Sequence, residues 1–260
     1  MLTRSSLLVA ALLALLPPLA QSLATGCAER PVRPLVPCTH SGVVNEVDIT
    51  QVNQVDLLFL VDNSGSMKEE QEALISEIPR MVTILATGEL PDGSTFEPVA
   101  SRRVGVITSD MGVGGIDIPA YAMCSTALGD DGVLLTEHRG TRTDCEDAYP
   151  AFLEFASATG VADDFAGQVR CLANTGSAGC SFEQQLEAVL KALTPSTSPI
   201  TFPQTRGGAE IRNTVGHGDT ENAIVRGDGT RESFVRPDSL LAVAVLTDED
   251  DCSSADLDLY

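Results

Sequence analysis

Asp62-Asn63-Ser64-Gly65-Ser66 carries one carboxylate and two hydroxyls at alternate positions. A tight turn would set those three oxygens on one side of the chain. Hard oxygen donors of this kind suit Mg²⁺ or Mn²⁺ first, with Ca²⁺ as the alternative. Gly65 lets the backbone close around an ion. Asp62 is the one charged group of the five, so a dication held there keeps positive charge and an open coordination position. A carboxylate from a partner could fill that position. The bland alternative is a turn that runs into a helix cap, with Ser66 capping and Glu69 completing a capping box.

Two further polar groups follow apolar runs. Ser109-Asp110 follows Arg103–Thr108, and Thr247-Asp248-Glu249-Asp250-Asp251-Cys252 follows Leu240–Leu246. The second is acidic enough for an additional cation such as Ca²⁺, or it is a solvated charge run.

These groups need elements to position them. Val55–Val61 is a continuous apolar run of strand length, as expected of a strand buried on both faces in a parallel sheet. A helix is expected from about Met67 to Leu85, with Leu74, Ile78, Met81, Val82 and Leu85 as its apolar stripe. Pro79 should kink or divide it. A second strand spans 103–108, and the strongest strand signal is 240–246. Residues 112–180 hold four cysteines and read as a disulfide-pinned insertion on one edge, with a helical segment near 148–166. Ser181–Leu193 reads as an amphipathic helix with Leu186, Val189, Leu190 and Leu193 on its apolar face. Residues 194–236 read as a long loop.

The alternation of strands and helices gives an α/β fold: a mostly parallel central sheet with helices on both faces. In such sheets ligands bind beyond the carboxyl ends of the central strands. That rule gathers Asp62, Ser64, Ser66, Asp110 and Asp248 at one edge.

A strand ending in Asp-x-Ser-x-Ser, then a helix, then a later strand ending in Thr-Asp resembles the von Willebrand factor A family over about residues 53–260. The resemblance implies a metal-ion-dependent adhesion site with Asp62, Ser64 and Ser66 as its triplet. Asp248 stands at the position of the later Asp, which acts through water. The family's remaining Thr should stand before the helix near 183; here Ser181 offers a hydroxyl and Glu183 a carboxylate. A Glu would reduce the ion's charge and its appetite for acidic ligands. The family continues with further strands and helices after the later Asp, so a truncated chain or incomplete domain is expected. The implied function is adhesion or assembly: a binding module, not an enzyme, that recognises an acidic group on a protein or cell-surface ligand. One alternative is a scaffold stabilised by its cation. Another is a metal-dependent hydrolase with Glu183 or His217 as base.

Catalytic constellations are missing from the sequence. There is no Gly-x-Ser-x-Gly elbow, no phosphate-cradling Gly-x-x-x-x-Gly-Lys-Ser/Thr, and no nucleophile attached to His217-Gly218-Asp219. The net charge is −21, from 16 Lys+Arg against 37 Asp+Glu. Such a surface repels phosphate backbones, so nucleic acid is not an expected partner. Apolar residues make up 43% of the 260, a globular composition.

Residues 1–26 read as an export signal: Arg4, an apolar run Leu7–Leu16 too short to span a bilayer, then Pro17-Pro18. Ser22-Leu23-Ala24 offers a cleavage pattern. Ala24-Thr25-Gly26-Cys27 instead resembles a lipobox, in which Cys27 would carry lipid. Residues 27–52 read as a linker. Of seven cysteines, lipidation of Cys27 leaves six that can pair: Cys38, Cys124, Cys145, Cys171, Cys180 and Cys252. An exported protein with paired cysteines fits an oxidising compartment, as a lipid-anchored envelope protein or a secreted one. No Cys-x-x-Cys pair exists and the three histidines are scattered, which argues against structural zinc.

Overall fold

The computed structural model describes residues 53–113, 124, 128–140 and 142–256. The expected signal, linker, Cys27 and Cys38 lie outside them. The elements run β1 (Gln54–Val61), α1 (Lys68–Thr87), β2 (Ser101–Thr108), β3 (Leu153–Ala156), α2 (Ala162–Leu172) and α3 (Gln185–Leu193). Then come β4 (Phe202–Arg206), β5 (Ala209–Thr214), β6 (Ala223–Val225), β7 (Arg231–Ser233) and β8 (Leu240–Leu246).

The main sheet has the order β3-β2-β1-β8. β1 runs parallel to both neighbours, and the short β3 pairs antiparallel with β2. The register sets Val61 opposite Thr108 on one side and Leu246 on the other. Three strands therefore end at one level, and their three polar loops leave the sheet side by side.

Alternation along the strands builds two cores. Leu57, Phe59, Val61, Val104 and Val106 face α1 and α2, packing with Ile78, Val82, Phe165 and Val169. Leu58, Leu60 and Ile107 face the other way, onto Ala188 and Ala192 of α3 with Phe152 and Phe234. Helices thus cover both faces of a mostly parallel sheet.

Several local expectations change. Ser66 does not cap α1: Met67 occupies the cap position without a side-chain cap bond, and the Ser66 hydroxyl turns to Asp248. Pro79 does not divide α1, which is a single helix of 20 residues. α3 starts at Gln185 and not at Ser181. Its apolar stripe is only partly the expected one: Val189 and Leu193 pack against the core. Leu186 and Leu190 are exposed, while Gln185, Ala188, Lys191 and Ala192 are buried. The small alanines let the helix approach the sheet closely. Buried Lys191 is met by Asp131 Oδ1 at 2.5 Å and Thr214 Oγ1 at 2.8 Å, which compensates its charge.

The 112–180 stretch is disulfide-pinned as expected, by Cys124–Cys180 and Cys145–Cys171. Cys252 is disulfide-bonded as well. The stretch is more than an insertion, however. It supplies the edge strand β3 and the core helix α2, so the helical segment begins at Ala162 and not near 148. Residues 194–236 are not a plain loop either. They form two antiparallel hairpins, β4–β5 and β6–β7. Arg103 and Arg226 both pair with Glu154 and Glu232, joining the second hairpin to β2 and β3.

Candidate cation site at the carboxyl edge of the sheet

Asp62 is the first residue past β1, and its side chain is fully buried. The donors that meet its carboxylate among the described residues are neutral. The Ser64 N–H donates to Oδ1 at 2.8 Å and the Ser109 hydroxyl donates to the same oxygen at 3.2 Å. The Thr247 hydroxyl donates to Oδ2 at 2.7 Å. These donors come from the ends of β1, β2 and β8. A buried carboxylate without a cationic partner is costly, and its cost is lowest when a cation sits beside it.

The hydroxyls extend outward from Asp62. Ser64 Oγ lies 2.9 Å from Ser66 Oγ, and Ser66 Oγ donates to Asp248 Oδ1 at 3.2 Å. Ser64 is buried, whereas Ser66 and Asp248 are exposed. The oxygens thus run from a buried carboxylate to a solvent-facing one. The loop is held from behind: Gln71 Nε2 donates to Asp62 O at 2.7 Å and to Gly176 O at 2.6 Å. Buried Asn63 lies against Gly179, whose N–H donates to Asn63 O at 2.8 Å. A Cβ on Gly179 would fall 2.2 Å from Asn63 Oδ1, so glycine is required there for the close approach.

Glu183 belongs to this neighbourhood and Ser181 does not stand out in it. Glu183 is buried and bridges Asp110 through the backbone; its carbonyl accepts the Cys252 N–H at 2.8 Å. Burial, followed by the charges of Asp62, Glu249 and Asp248, pushes its carboxyl up to about 7. Ser181 is exposed beside Cys180. Asp110 reaches the expected edge but turns to its own loop, accepting the Gly112 N–H at 2.8 Å. Burial raises its pKa, and the neighbouring Asp130 charge adds to the effect.

Sequence reasoning missed the roles of Ser109, Thr247 and Gln71. The first two directly precede Asp110 and Asp248, which was the available signal. Gln71 had none, since it lies in a helix among glutamates. His217 pairs with other groups than the Asp62 loop: it sits between Asp131 and Glu221, each 2.9 Å from a ring nitrogen.

Oxygen chemistry dominates the site. Among the described residues no three His, Cys, Asp or Glu side chains converge on one point, so a cation here relies on the serine hydroxyls. Asp62, Ser64, Ser66 and Asp248 form a hard, mixed donor set that fits Mg²⁺, Mn²⁺ or Ca²⁺ and not a soft metal. Comparison with protein-family models, with curated proteins and with solved structures found no match.

Proposed function

We propose that this chain is a binding module of von Willebrand factor A type that displays a divalent cation to an acidic group on another protein or a surface polymer. The observation that carries the reading is Asp62. It is a fully buried carboxylate met by neutral donors, and a chain of hydroxyls leads from it to exposed Asp248. β8 lies directly beside β1, which is what brings the Thr247-Asp248 pair to the Asp-x-Ser-x-Ser loop. Asp62, Ser64 and Ser66 would hold the ion, with Asp248 on the solvent side. The ion would supply a positive charge with a replaceable ligand; the protein's part is to bury and orient the oxygens around it.

The module acts outside the cytoplasm in this reading, lipid-anchored through Cys27 or secreted. Two disulfides support it, and among the described residues no helix is long and apolar enough to cross a membrane.

One observation favours a second reading. Buried Glu183 adds a carboxylate near Asp62 and Asp248. Its charge, beside those of Asp62 and Asp248 though not converging with them on one point, would offset a dication from nearby and leave it less attraction for acidic ligands, which would make the cation a structural staple.

Calorimetric titration of the mature chain with Mg²⁺, Mn²⁺ and Ca²⁺, beside Asp62→Ala and Ser64→Ala, tests the site. Saturable binding lost in both variants is expected. Equal, non-saturating heats in all three proteins would reduce the loop to a turn. Partner capture that requires the cation would separate display from stapling. Unchanged capture with a lower unfolding temperature after chelation would favour the staple.

A further inference from the structure

A cavity of about 330 Å³ lies behind the Asp62 loop, between α1, the chain around Gly140 and the chain that leaves α2. Asn174 forms part of its wall and is 8% exposed. The Asn174 backbone is fully used: its N–H donates to Cys171 O at 3.2 Å, and its carbonyl accepts the Arg139 N–H at 3.0 Å. Its side-chain amide has no hydrogen-bond partner among the described residues. A Cβ at Gly140 would fall 2.0 Å from Asn174 Nδ2 and 2.2 Å from Oδ1, so glycine there leaves the amide its room. Buried Gln71 lines the same cavity. Its Nε2 is spent on Asp62 O and Gly176 O, and its Oε1 accepts from no described residue. Folded proteins pair nearly all their buried polar groups, because leaving them unpaired is costly. Two buried amides with spare groups on one cavity point to a ligand that pairs them.

The charge around the cavity is locally positive in a chain of net charge −21. Lys68 and Arg142 line it against one carboxylate, that of Glu72. Lys68 is exposed and has no ion pair among the described residues. Arg142 pairs with Asp144, which Arg170 shares, so one carboxylate there serves two guanidiniums.

We propose that this cavity binds an Asp or Glu residue of another polypeptide. The Asn174 amide presents a donor and an acceptor, the complement of the C=O and N–H of a peptide backbone. Nδ2 donates to a ligand carbonyl, Oδ1 accepts a ligand N–H, and Gln71 Oε1 takes a second donor. The ligand's carboxylate meets the Lys68 ammonium in a charge-assisted bond, with Arg142 adding to the positive field. Ile75 is the one apolar side chain on the wall among the described residues, which disfavours a mainly hydrophobic ligand. The volume suits a single side chain with its flanking backbone. The site needs no bound cation and stands whether or not the Asp62 loop holds one.

The test is an NMR titration of the ¹⁵N-labelled full chain, in chelator, with acetyl-Gly-Glu-Gly-amide and its Gln counterpart. Saturable shifts of the Asn174 side-chain NH₂ and the Gly176 amide are expected, with the Glu peptide bound about fivefold more tightly than the Gln peptide. Lys68→Gln should abolish that preference. Arg80→Gln makes the same charge change on α1 away from the cavity and should keep it. Asn174→Leu should remove binding of both peptides and leave the unfolding midpoint at or above wild type, because the amide has no partner to lose. A purely structural amide would give the opposite stability result. Four results would overturn the proposal: no saturable shift by about 10 mM peptide, equal binding of the two peptides, the same loss in Arg80→Gln, or a lower midpoint in Asn174→Leu. Lys68 is exposed, so its variant keeps the charge arm readable in a folded protein.

Discussion

The Thr247 hydroxyl donates to Asp62 Oδ2 at 2.7 Å, joining the ends of β8 and β1 across 185 positions of sequence. Thr247 stands just past β8 and Asp62 just past β1, so the bond also fixes how their two loops lie. Thr247→Val keeps the shape and removes the donor. Leaving a buried carboxylate oxygen unmet costs about 1–3 kcal/mol. Urea unfolding in chelator should show a loss of that size, and cation affinity should fall with it. Stability equal to wild type would mean that water or another donor replaces the hydroxyl without cost.

Gly179→Ala probes the contact behind the loop. The added Cβ meets Asn63 Oδ1 at 2.2 Å and Cγ at 2.4 Å, and Asn63 is buried. Overpacking of this sort costs about 1–3 kcal/mol. Because Asn63 lies between Asp62 and Ser64, cation affinity should drop together with stability. Ala at Gly167, where a Cβ meets nothing within 4 Å, is the matched control. If both variants behave alike, Gly179 is not holding the loop.

His217 gives the fold a pH-dependent tie. Its two ring nitrogens each lie 2.9 Å from a carboxylate oxygen, of Glu221 and of Asp131, an arrangement that favours the protonated ring, which can donate from both. The hydrogen bond with Asp131 raises its pKa above the ordinary value, helped by that with Glu221; burial and the charge of Lys191 oppose the rise. A raised folded pKa means stabilisation present in full below the unfolded value of about 6.5 and lost as pH climbs through the folded one. The stability difference between wild type and His217→Gln should therefore shrink from mildly acidic to alkaline pH. A difference that stays constant with pH would sink this account.

Asp131 also pairs with Lys191, which is 1% exposed. Asp131→Asn strands that ammonium, and breaking such a buried pair costs about 3–5 kcal/mol. Lys191→Met together with Asp131→Asn should recover part of the loss. Chemical denaturation of the three proteins decides it; a mild single variant would show that Lys191 sheds its proton or reaches water instead.

The Cys145–Cys171 bridge closes a separation of 26 residues between the loop before β3 and the core helix α2. Replacing both cysteines with serine should cost about 3–4 kcal/mol on the loop-entropy estimate. Thermal unfolding with and without reductant measures it, and a variant as stable as the oxidised protein would place the constraint elsewhere.

Local sequence was sufficient where one element's own pattern decides its state. The apolar run 55–61 reads as a strand with both faces covered, and β1 is that strand. The position of Asp62, Ser64 and Ser66 at its carboxyl end followed from the same run. The 240–246 run was equally legible as a strand. Its place directly beside β1 was not, because pairing depends on residues far away in the chain. The α3 leucines show the same limit: periodicity marks an apolar face, but only packing chose Ala188 and Ala192 to meet the sheet and left Leu186 and Leu190 outside. Hairpins in 194–236 escaped notice because their strands are short, polar and exposed.

What the sequence determined by itself was the strand and helix character of the main segments and the oxygen-rich loop, since each rests on the pattern of near neighbours in the chain; the α/β class followed from their alternation. The tertiary structure alone decided that Ser109 and Thr247 donate to Asp62, that Glu183 and not Ser181 lies among these charges, and that β8 pairs directly with β1. Those facts join residues far apart in sequence, and their energies come from burial and distance, which a linear pattern does not contain.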